Sequence, residues 1–96
     1  MKKNEFIYLY KKLDEAAWYI LDYIIEHKPE LLEFDANKVI MSNWQIDTSR
    51  YDNQCPSFSI WYINEEDLSA DCGIILVPID VMFEGKHKEW VENYCR

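Results

Sequence analysis

The sequence predicts an α+β fold in which an antiparallel three-stranded sheet packs against a long N-terminal helix and a short C-terminal helix. Three observations predict it. The first quarter of the chain repeats apolar residues at spacings of three and four, the middle holds three short strand-like runs, and the tail returns to helical spacing. With few residues per connection, an α-β-β-β-α order is packed most economically as a meander with both helices on one face. Residues 1–96 are read as a single α+β domain.

Asn4 to His27 carries the first helix. Phe6, Leu9, Leu13, Ala16, Ala17, Ile20, Leu21 and Ile24 stack on one face, and Glu5, Lys12, Glu15, Asp22 and Glu26 fall opposite. Asn4 is the expected N-cap, and Pro29 ends the helix by disfavouring helical geometry at Lys28. A second apolar strip of Ile7, Trp18 and Ile25 flanks the first, so the apolar arc is wider than one sheet contact requires. Either the C-terminal helix or a second protein must cover it.

The segment 29–34 fits one further helical turn with Pro29 leading, and Asp35, Ala36 and Asn37 fit a turn. The first strand, Lys38 to Asp47, places Ile40, Ser42, Trp44 and Ile46 on one face. In the second, Ser57 to Asn64, Phe58, Ile60 and Tyr62 lie on one face and Ser57, Ser59, Trp61 and Ile63 on the other. Cys72 to Val77 is apolar on both faces and stops at Pro78. Hairpin loops fall around Tyr51 and around Glu65–Leu68, and residues 79–85 carry no assignment. His87, Trp90, Val91 and Tyr94 mark the last helix. The expected core is Phe6, Leu9, Leu13, Ala17, Ile20, Ile24, Ile40, Trp44, Phe58, Ile60, Ile74, Leu76 and Trp90.

No motif for catalysis, a metal or a cofactor is present. The three cysteines, Cys55, Cys72 and Cys95, are widely spaced and form neither a disulfide framework nor a zinc pattern. The carboxylates Glu15, Asp22 and Glu26 read as a solvated helix face, and Gly73 and Gly85 are too isolated for a phosphate-binding loop. No signal peptide or membrane span is read, so a cytoplasmic location is expected. The richness in Ile, Lys, Tyr and Asn points to an AT-rich bacterial or phage coding sequence.

Charge is the most informative feature. The net charge is −8, and between Asp47 and Glu84 eight acids face the single base Arg50, which leaves −7 in that segment and −1 elsewhere. Direct nucleic-acid binding needs a basic face and is disfavoured, whereas a basic protein partner is favoured. Double-stranded-RNA-binding domains share the element order but need a basic start to the last helix, and here Lys86 and Lys88 sit among Asp80, Glu84, Glu89 and Glu92.

The expectation is therefore a non-enzymatic, acidic protein-binding module, an inhibitor or adaptor encoded by a phage or mobile element, without cofactor. Its candidate surface comprises Tyr51, Glu65, Glu66, Asp67 and Asp71, together with Tyr8, Tyr19 and Tyr23 on the charged side of the first helix. The alternatives are a homo-oligomeric accessory protein, paired as a homodimer through Ile7, Trp18 and Ile25, and a small enzyme or ligand binder built from scattered residues.

Overall fold

The computed structural model describes residues 2–33, 35–47, 57–68 and 71–96. Helix α1 spans Lys3–His27. Its cap is Lys2 rather than Asn4, because the Lys2 backbone N–H donates to the Glu5 carboxylate at 3.5 Å and draws the first turn back. At the other end the Lys28 N–H still bonds the Ile24 carbonyl, and Pro29 opens a 3-10 turn, Pro29–Leu31. A second such turn, Ala36–Lys38, is capped by the Asp35 carboxylate, which accepts from the Asn37 N–H at 3.0 Å.

Strands β1 (Val39–Asp47), β2 (Ser57–Asn64) and β3 (Gly73–Pro78) form one antiparallel sheet in the order β1-β2-β3. Two short helices follow, α2 (Ile79–Phe83) over the previously unassigned stretch and α3 (His87–Tyr94). Gly85 makes the corner between them at φ 74°, a left-handed conformation that a residue with a Cβ adopts only with strain. The α-β-β-β-α order and the meander are those the sequence predicts.

One hydrophobic cluster joins α1 to one face of the sheet. Leu13, Ala17, Ile20, Leu21 and Ile24 from α1 meet Phe58, Ile60, Tyr62, Ile75 and Val77, with Val81, Met82, Val91 and Cys95 closing the far side. Ala16 and Ala17 are small enough to let the helix backbone lie close to its neighbours. The Gly73 position needs a glycine for a different reason: a Cβ there would fall on the Tyr62 ring. That ring crosses the strand so that its hydroxyl can accept the Glu33 backbone N–H at 3.1 Å.

Four expected core residues are not in the core. Phe6, Ile40, Ile74 and Leu76 are exposed. Phe6 lies too near the start of α1 to be covered. Ile40 is displaced by a bulge: the β1–β2 register slips between Met41 and Asn43, so Val39 and Met41 share the core face with Trp44, and Ile40 turns outward. Ser42, the extra residue, donates its hydroxyl to the Trp61 carbonyl at 3.3 Å. In β3 the pleat buries Ile75 and Val77 and leaves Ile74 and Leu76 on the outer face.

Candidate binding surface

The sheet register fixes the outer face. Ile40 pairs with Ile63, Asn43 with Trp61, and Trp61 in turn with Ile74, while Ser59 lies between Gln45 and Leu76. Because paired residues project to the same side, Ile40, Trp61, Ile63, Ile74 and Leu76 form an apolar field with small polar residues between them. No described helix packs on it, since the buried cluster draws its helical members to the opposite face. The indole N–H of Trp61 is enclosed and has no acceptor among the described residues.

The acidic hairpin stands at the end of the sheet where β2 passes to β3. The Asn64 side chain accepts the Glu66 N–H at 2.9 Å, and the Asn64 carbonyl accepts the Asp67 N–H at 3.2 Å, which tightens the turn. Lys38 answers part of its charge, with its ammonium 2.8 Å from Glu66 and its carbonyl accepting the Glu65 N–H. Glu65, Glu66, Asp67 and Asp71 are all exposed. The turn thus holds three of the predicted acids, Glu65, Glu66 and Asp67, and Asp71 stands just before β3. Tyr51, the fifth residue of that group, lies outside the described residues.

The tyrosines of α1 divide. Tyr8 is exposed, with the Lys12 ammonium 4.7 Å from its ring centre. Tyr19 and Tyr23 instead pack partly against the core, because α3 lies along their side of α1. His87 meets Tyr19 edge-on at 5.6 Å, and Tyr23 lies tilted against His27 at 4.3 Å. The strip opposite is not beneath α3. Ile7 and Trp18 remain exposed, and Ile25 packs partly into the core.

Two recesses accompany these surfaces. An apolar one of about 450 Å³, between the start of α1 and the end of β1, is lined by Phe6, Tyr10, Trp44 and Ile46. Trp44 is fixed there by its indole N–H, which donates to Asp14 at 2.8 Å, and by stacking on Phe58 at 5.0 Å. The other, about 520 Å³, separates α1 from the α2–α3 corner and mixes Leu13 and Met82 with Lys12, Glu15, Tyr19, His87 and Lys88. His87 there has an enclosed Nδ1 with no partner among the described residues, and burial, with Lys88 beside it, holds its imidazole below the usual range. Burial likewise raises the Cys95 thiol, which favours the unreactive protonated form. Among the described residues no three His, Cys, Asp or Glu side chains gather as a metal site, and no helix is long and apolar enough to cross a membrane.

From the sequence, Ile74 and Leu76 are expected in the core, while the two-sided apolar character of the third strand is a ground for self-association. The fold sets both residues on the outer sheet face, beside Trp61 and Ile63. No family model, curated protein or solved structure matches the chain.

Proposed function

We propose that this chain is a non-enzymatic protein-binding module, an inhibitor or adaptor that docks the open face of its sheet on a basic protein surface. The observation that carries the reading is the apolar field of Ile40, Trp61, Ile63, Ile74 and Leu76, on which no described helix packs and in which Ile40, Ile74 and Leu76 stand exposed, in a chain of net charge −8. A contiguous apolar patch bordered by charge marks an interaction site more often than a solvated surface does. The acids of the hairpin steer the encounter, and the aromatic and aliphatic centre supplies the affinity. A phage or mobile element is the source that fits the composition, and the cytoplasm is the compartment that fits the cysteine usage.

The test is affinity capture from the source cell with wild-type protein and with Leu76→Asp. A basic partner retained by the first and lost by the second supports the reading. Equal retention by both removes the sheet face from it. If Glu65, Glu66, Asp67 and Asp71 steer binding, their amides should slow association more than they speed dissociation.

A second reading is favoured by one observation, the exposure of Ile7 and Trp18 on the side of α1 away from α3. A homodimer through that strip would make the chain an accessory oligomer. Light scattering at high concentration decides it, because a persistent monomer excludes the seam.

A further inference from the structure

The two edges of the sheet are built differently. On β1 the ladder breaks at the Met41/Asn43 bulge, and Trp44 ties the strand to α1 through Asp14. Bulges of this kind blunt an edge against further pairing. On β3 the register with β2 runs without a break from Tyr62↔Gly73 to Ser57↔Pro78, and the strand carries no charged residue. Among the described residues no strand pairs with its other side. Alternate residues of an antiparallel strand turn their N–H and C=O away from the existing neighbour, so β3 offers an open ladder. Charge is found only beyond its ends, at Asp71 before it and Asp80 after it, both exposed.

From this arrangement we infer that β3 is a pairing edge, which receives an extended segment of the protein partner as a fourth strand. The inference rests on the protein-binding reading and names the chemistry of its partner: alternating apolar residues with a lysine or arginine at each end. The backbone ladder supplies the grip, alternate apolar side chains extend the field of Ile74 and Leu76, and the terminal cations meet Asp71 and Asp80. A second copy of this chain fits the edge less well. Antiparallel pairing of two β3 strands sets Asp71 of each copy toward Asp80 of the other, and both seam ends then hold like charges.

The probe is a synthetic peptide of alternating valine and threonine with lysine at each end. Controls carry glutamate at both ends, or N-methyl groups on alternate backbone amides. Fluorescence anisotropy should show the lysine-ended peptide binding about tenfold more tightly than the glutamate-ended one at low salt. Methylation should abolish binding, and amide exchange across Ile74–Val77 should slow on adding the first peptide. In the double variant Asp71→Lys, Asp80→Lys the preference should invert, and neither change touches the core. Binding that survives methylation, or exchange in β3 that does not change, overturns the inference. Slow exchange in β3 at high protein concentration without peptide would assign the edge to a second copy instead. A captured basic partner that depends on Leu76 but leaves β3 exchange unchanged sinks the edge inference alone. Loss of both partner capture and the Leu76 effect sinks the underlying reading.

Discussion

On the helix side of the sheet, Ile75 and Val77 are 7% and 0% exposed, while their neighbours in sequence, Ile74 and Leu76, stand 42% and 58% exposed. The four side chains are nearly identical in chemistry, and only the pleat separates them. A strand that is apolar on both faces usually lies between two layers. Here one layer is supplied by α1, α2 and α3, and no described helix supplies the other. The difference teaches that on this strand hydrophobicity reports the capacity to be buried, and the number of helices decides which side receives burial.

The largest expected effect tests that contrast directly. Ile75→Ala should destabilise the fold by about 2–5 kcal/mol, as removal of a buried aliphatic side chain does. Ile74→Ala, one residue away, should lie within about 0.5 kcal/mol of wild type. Urea unfolding followed by circular dichroism measures both. Equal losses would mean that the outer face is covered in the free protein, and the comparison would break.

Gly73→Ala comes next. The added Cβ must displace the Tyr62 ring, which overpacks the site and strains the hydroxyl bond to the Glu33 N–H. A loss of about 1–3 kcal/mol is expected from such overpacking. In a Tyr62→Leu background the same glycine change should be less damaging, because the clashing ring is gone. Additive losses in that double-mutant cycle would show that the ring does not occupy the Gly73 position.

These residues also show how far the sequence could be read. The span of α1 followed from its spacing and from Pro29, and the three strands fell close to their expected limits. Buried Leu13, Ala17, Ile20, Ile24, Phe58 and Ile60 were legible because each sits on an element with one clearly more apolar face. Ile74 and Leu76 were not, since no property of β3 alone distinguishes its sides. Ile40 was misplaced because a bulge at Ser42 shifts the alternation by one residue, and serine carries no local signal for it. The hairpin acids were legible as a charged turn. Tyr19 and Tyr23 were not legible as packing residues, because the docking of α3 depends on tertiary contacts that helical spacing does not encode.

The smallest effect sharpens the other side of the comparison, the seam between α1 and α3 that buries what the outer sheet face leaves open. His87 stands at that seam with its Nδ1 enclosed and its ring edge against Tyr19. Burial first, and the neighbouring Lys88 second, lower its pKa in the fold. The unfolded chain therefore takes up the proton more readily. Stability should be full above the ordinary imidazole range and fall as pH drops through it toward the lower folded value. Glu15 and Glu84 line the same recess with Lys12 and Lys88, and the protonation of carboxylates elsewhere adds its own slope at the acid end. The informative quantity is thus the difference between wild type and His87→Phe, which keeps a ring against Tyr19 but has no proton to gain. Thermal unfolding from pH 7.5 to pH 5.5, about the span over which an unperturbed imidazole titrates, should show the variant losing less stability than wild type on acidification. Parallel curves would mean that His87 is as accessible to the proton in the fold as out of it, and that the α1–α3 seam is open to water.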